Sequence, residues 1–165
     1  MSQPLKILIV DDNRFYRQAL YINLSSSDQV VVVGEATNGE EAIKLIGQLQ
    51  PDVILLDVEM PGIDGLQAVT TINQFYPSVK TIMLSAHHSK DIVLEALRKG
   101  AQGYLVKGIT GSKELLRAIQ MVMRGQAVLS PPMTGWLLDE MTTVQNNTTL
   151  DYEQLSQDLP DNVNR

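Results

Sequence analysis

Ile7 to Val10 and Val53 to Leu56 are apolar at every position. A strand with one wet face alternates apolar and polar residues, whereas a strand without alternation has both faces covered. Such strands belong to parallel sheets clothed by helices. Three more β-rich runs follow the same spacing, so that Lys6 to Val10, Val30 to Glu35, Val53 to Leu56, Thr81 to Leu84 and Gly103 to Val106 form a series. Between them the apolar period changes to that of a helix. Ala42, Leu45, Ile46 and Leu49 share one face, as do Ile92, Val93, Ala96 and Leu97, and Leu115, Leu116, Ile119, Val122 and Met123 make a third stripe. Asn38 with Gly39, Glu40 and Glu41 reads as a cap and acidic first turn, Gln50-Pro51-Asp52 as its stop, and Gly100 as the stop of a later helix. Five βα units in 125 residues predict an α/β, doubly wound, five-stranded parallel sheet. The pattern alone leaves several strand orders open.

Past residue 125 the pattern changes. Ser130-Pro131-Pro132 reads as a helix start, and Met133, Trp136, Leu137 and Met141 as the apolar face of one short helix. Residues 142–165 are polar, with four acidic side chains and one basic. The predicted organisation is a domain over 1–125, a linker with a short amphipathic helix over 126–141, and a polar, disordered tail over 142–165.

The 13 Lys and Arg stand against 19 Asp and Glu, a net charge of −6. Phosphate backbones are bound by many basic contacts, so DNA binding by this chain alone is not expected. With no cysteine, disulfides, thiolate metal sites and cysteine nucleophiles are excluded. The apolar runs are too short to cross a bilayer, and no basic-hydrophobic-small sequence opens the chain. A cytoplasmic protein without membrane attachment is the expectation.

Functional groups of parallel sheets gather beyond the carboxyl ends of the strands. Those ends carry Asp11 and Asp12, Asp57, Ser85 and Lys107; only the second strand, ending near Glu35 and Ala36, carries nothing of note. Singly, each has a plain reading: an Asp pair often caps a helix, and a strand-end lysine is usually solvated. Together, three carboxylates in one cleft repel one another unless a cation sits between them. Their hard oxygen donors suit Mg²⁺. Lys107 supplies a compact positive charge for a phosphate and Ser85 a hydroxyl donor. This set is a phosphoryl-transfer site with an aspartyl nucleophile.

The stretch Ile7-Leu8-Ile9-Val10-Asp11-Asp12, the stretch from Pro51 through Asp57 to Gly65, Ser85-Ala86, and Gly103-Tyr104-Leu105-Val106-Lys107 resemble the receiver domain of bacterial two-component response regulators, over about residues 5–125. The resemblance implies a flavodoxin-like sheet of order 2-1-3-4-5. It implies phosphorylation of Asp57 by a histidine kinase or phosphotransfer protein, with Mg²⁺ on Asp11, Asp12, Asp57 and the backbone carbonyl of Glu59. Ser85 and Lys107 would bind phosphoryl oxygens, Tyr104 would turn inward on activation, and homodimerisation on phosphorylation is left open. Such a domain is a switch that catalyses only its own phosphorylation and dephosphorylation. Arg14, Tyr16 and Arg17, on the first helix, are the expected exposed kinase contacts. Gly125 to Pro131 and the helix after them resemble the linker of the subfamily whose receivers precede a helix-turn-helix effector, which would control transcription. The residues after Met141 are too few for that effector, so either it lies outside this sequence or the regulator works without one.

Two positions depart from the family pattern or vary within it. Gly108 stands where receivers often carry proline, commonly after a cis bond, which before glycine costs about 2.5–4 kcal/mol; a looser loop is expected. Glu59 and His87, two residues past Asp57 and Ser85, occupy places that in the family tune dephosphorylation by water. A metal site on His87-His88 lacks a third ligand. Aspartate-based phosphatases need an aspartate and a threonine where Glu59 and Pro61 stand, and Gly108 to Lys113 has serine and lysine in the wrong order for a P-loop. A flavin phosphate would meet an acidic edge. The remaining alternative is a stand-alone or phosphorylation-independent pseudo-receiver, against which the intact set of five site residues argues.

Overall fold

A computed structural model of the chain describes residues 2–108 and 111–143. The expected polar tail lies outside the described residues from position 144 onward. Strands β1 (Leu5–Val10), β2 (Val30–Ala36), β3 (Val53–Asp57), β4 (Lys80–Ser85) and β5 (Gly103–Val106) alternate with helices α1 (Arg14–Ser25), α2 (Gly39–Leu49), α3 (Gly65–Phe75), α4 (Lys90–Arg98) and α5 (Ser112–Met123). All strand pairs are parallel, and the order begins β2-β1-β3-β4-β5.

The expectation of five strands needs one correction. A short β6 (Val128–Leu129) pairs in parallel with β5, extending the order to β2-β1-β3-β4-β5-β6. Two residues give no period to read, and Ala127-Val128-Leu129 passes in sequence for linker. The cause is the open edge of β5, whose backbone groups need partners. Val128 N–H donates to the Gln102 carbonyl (3.1 Å) and Ser130 N–H to that of Tyr104 (3.2 Å). Residues 131–143 form a further helix, α6, at the start of a second compact unit.

The core follows from the absence of alternation. β3 is buried at all five positions and β1 at its last four. One sheet face, with Ile7, Ile9, Val53, Leu55, Ile82 and Leu84, packs on Leu20 and Leu24 of α1 and on Leu115, Ile119 and Val122 of α5. Leu8, Ile54, Leu56 and Met83 point to the opposite face and are equally buried, as are Ile46, Val69, Ile72 and Val93 of α2, α3 and α4. Each fully buried side chain of this size contributes about 1.5–3 kcal/mol.

Helix ends form where the sequence places them. The Asn38 side chain accepts from Glu41 N–H, and Gln50 ends α2 in the left-handed region at φ 49°. Asn13 caps α1 and Asp64 caps α3 in the same way. These caps fix the loops that leave β1 and β3, and so the directions of the acids in them. Among the described residues, no helix is long and apolar enough to cross a membrane.

Candidate functional site

The carboxyl ends of β1, β3, β4 and β5 open into one cleft of about 540 Å³. Asp11, Asp12, Asp57, Glu59, Ser85 and Lys107 all line it. The structure thus brings together every strand-end group singled out in the sequence. Asp57 is the last residue of β3, and Asp11 follows β1 directly; both are buried, whereas Asp12 is exposed. Carboxylate oxygens of Asp11, Asp12 and Asp57 lie within 4.8 Å of one another.

Lys107 answers part of this negative charge. Its Nζ stands 2.5 Å from Asp11 Oδ2 and 3.3 Å from Asp57 Oδ1. Asp57 still binds its proton more tightly than a free carboxyl: burial, then the negative charge of Asp11, raise its pKa from 3.8 to about 6, against the lowering pull of Lys107. At neutral pH it is therefore mostly ionised but uncomfortable, with room for a further cation. The donor set is hard oxygen throughout, which fits Mg²⁺. The Lys107–Gly108 peptide is not cis, and Gly108 instead takes φ 80°, a conformation natural to glycine. The Lys107 ammonium is gripped by the two carboxylates directly, and the expected looser loop runs on into residues 109–110, outside the described residues.

Ser85 is buried, and its Oγ accepts from His87 N–H at 3.0 Å at the wall of the cleft. Tyr104 is wholly buried, and its hydroxyl donates to the His87 carbonyl at 2.5 Å. Burial is also the chief cause that raises its pKa, with Asp57 and Glu59 adding to it and the Ser85 hydrogen bond opposing. The loop after β4 is thus tied to the tyrosine beneath it.

Three features were not readable from sequence. Glu59 Oε2 and His87 Nε2 pair at 3.2 Å, with both side chains about 60% exposed. Their equal offsets from Asp57 and Ser85 are the only sequence hint of it. Tyr16 of α1 lies under Lys107, its ring centroid 4.4 Å from Nζ. Desolvation, with Asp11 and Asp57 adding to it, pushes the Tyr16 phenol up to about 12, so its ring is neutral. Arg17 donates to the Asp11 carbonyl (2.7 Å) and pairs with Glu35 (3.4 Å). This corrects the reading of α1: Tyr16 and Arg17 are half-buried and turned inward, whereas Arg14, Phe15, Gln18 and Ile22 are exposed.

Comparison with known proteins agrees with the geometry. Residues 7–120 match the response regulator receiver domain family. The chain is 34% identical over 155 residues to the nitrate/nitrite response regulator protein NarL of Escherichia coli K12, covering 94% of this chain and 71% of that one. It is 36% identical over 148 residues to the response regulator GacA of Pseudomonas syringae pv. syringae, covering 89% and 69%. Among solved structures, the signal receiver domain of NarL from Mycobacterium tuberculosis superposes with a TM-score of 0.72 at 35% identity, over 76% of this chain and all of the other.

Proposed function

The chain belongs to the response regulator receiver domain family, and from that premise we propose that Asp57 is its phosphoacceptor, with Mg²⁺ held by Asp11, Asp12, Asp57 and the Glu59 carbonyl. Receiver domains act in two-component signalling as switches, not as turnover enzymes. The observation that carries the assignment is the ammonium of Lys107 set between Asp11 and Asp57 in a cleft of three converging carboxylates.

The chemistry follows from the residues. An ionised Asp57 oxygen attacks phosphorus of a phosphohistidine or a small acyl phosphate; the new O–P bond forms as the donor's P–N or P–O bond breaks, and the donor leaves with that electron pair. Lys107 and the Ser85 hydroxyl bind the phosphoryl oxygens on the acyl phosphate. Bound Mg²⁺ would neutralise charge on the transferring group. Since the product carries a charge near −2, it draws Ser85 and Lys107 inward. Ser85 is linked through His87 to the Tyr104 hydroxyl, so the strain passes to the loop between β4 and α4. Two arrangements of that loop, differing in their contacts with the phosphoryl group, are what make a switch.

The donor is a histidine kinase or phosphotransfer protein, approaching over the exposed residues of α1, whose cap Asn13 lines the cleft. Replacing Phe15 and Ile22 by serine should slow transfer from the cognate kinase but not from acetyl phosphate; equal effects on both would remove this docking assignment. The output class is control of transcription through an effector domain, as the relatives are named response and transcriptional regulators. The phosphoacceptor assignment is tested by intact mass after acetyl phosphate and Mg²⁺. One phosphoryl adduct is expected, lost on chelation and in Asp57→Asn. An adduct that survives both would overturn it.

A further inference from the structure

Tyr16 has no part in the chemistry above, yet its ring stands 4.4 Å from the Lys107 ammonium, well within the range of a cation–π contact. Asp11 and Asp57 hold the same ammonium by its N–H groups. The lysine needs such help. Its four-carbon stem is flexible, and the residue after it is Gly108 at φ 80°, which restrains little. Tyr16, by contrast, is a fixed wall, packed against the core shared by α1, α5 and the sheet.

The chemistry of the wall matters. A third carboxylate here would hold Lys107 more strongly but would repel an incoming phosphoryl group and occupy an N–H donor that the phosphoryl oxygens need. An aromatic face attracts the cation without either penalty. We propose that Tyr16 is a positioning residue, whose ring face keeps the Lys107 ammonium where it meets a phosphoryl group on Asp57. The inference rests on Asp57 being the phosphoacceptor, but the lysine's placement is measurable without phosphorylation.

Two variants separate the ring from its bulk and from its hydroxyl. Tyr16→Phe keeps the aromatic face, and Tyr16→Leu keeps apolar packing alone; Tyr16→Met replaces the latter if leucine prevents folding. The first readout is the proton shift of the Lys107 ε-methylene by NMR in the unphosphorylated protein. Ring current should move it upfield in the wild type and in Tyr16→Phe, and the displacement should vanish in Tyr16→Leu. The second readout is the initial rate of phosphoryl uptake from acetyl phosphate with Mg²⁺. Tyr16→Phe should stay near the wild-type rate, and Tyr16→Leu should fall about 2- to 30-fold, the span of cation–π energies. An ordinary lysine shift in the wild type, a wild-type rate in Tyr16→Leu, or a fall in Tyr16→Phe as deep as in Tyr16→Leu would each overturn the proposal. If the wild type takes up no phosphoryl group, the Asp57 reading fails on its own, and the shift alone decides the placement of Lys107.

Discussion

Replacing Asp57 by asparagine should make the protein more stable, by an amount that depends on pH. In the folded chain the Asp57 pKa is about 6, against an ordinary value of 3.8. Its folded form therefore holds the proton more tightly than the unfolded chain does. The associated stability is fully present below the unfolded pKa and is lost as pH rises through the folded one. Asparagine, close in shape to the neutral acid, keeps the uncharged state at every pH. With these two pKa values the gain over wild type is about 3 kcal/mol near pH 7.5 and about 1 kcal/mol near pH 4.5, and it disappears below the unfolded pKa. Asp57 is only 6% exposed, so solvent screening removes little of this. Lys107 loses one partner in the variant but retains Asp11. The assay is urea denaturation of both proteins at the two pH values in EDTA, then with added Mg²⁺. Bound cation stabilises the ionised wild type more than the variant, which keeps Asp11 and Asp12 but loses one carboxylate, so the gap should narrow as Mg²⁺ is raised. A gap below about 0.5 kcal/mol near neutrality, or one of equal size at both pH values, would refute the electrostatic reasoning.

Other perturbations test the scaffold and the rim of the cleft. A Cβ on Gly65 would sit 2.1 Å from the Asp57 carbonyl oxygen and 2.8 Å from Val58 Cα, both backbone. Gly65→Ala should therefore cost about 3 kcal/mol or more in denaturant titrations, and a loss under 1 kcal/mol would mean α3 is free to move away. Glu59→Gln removes an exposed pair with His87, so the change in unfolding free energy should stay within about 0.5 kcal/mol. A larger loss would show that this contact braces the loop after β4.

Much of this molecule was legible in its sequence because it rests on one-dimensional rules. The unbroken apolar character of Ile7 to Val10 and Val53 to Leu56 required covered parallel strands, and Asn38 and Gln50 marked the ends of α2 by their own backbone chemistry. Asp11, Asp57, Ser85 and Lys107 stood out because strand ends converge on one edge. What escaped depends on distances between elements. Tyr16 meets Lys107 only when α1 is laid against a sheet whose fifth strand sends its lysine back toward the first. Arg17 looked exposed because a polar helix position gives no sign that its guanidinium is bound by the ends of β1 and β2. The strand β6 escaped because two residues, Val128 and Leu129, have no period of their own and exist as a strand through the edge they meet.

The central claim, that Asp57 takes the phosphoryl group, is tested most directly by trapping the adduct. Borohydride reduces an aspartyl phosphate to homoserine, which peptide mass spectrometry locates by residue. After acetyl phosphate, Mg²⁺ and borohydride, the account predicts homoserine at position 57, with Asp11 and Asp12 unchanged. Homoserine at either of those, or a stable phosphate on Ser85, would contradict it.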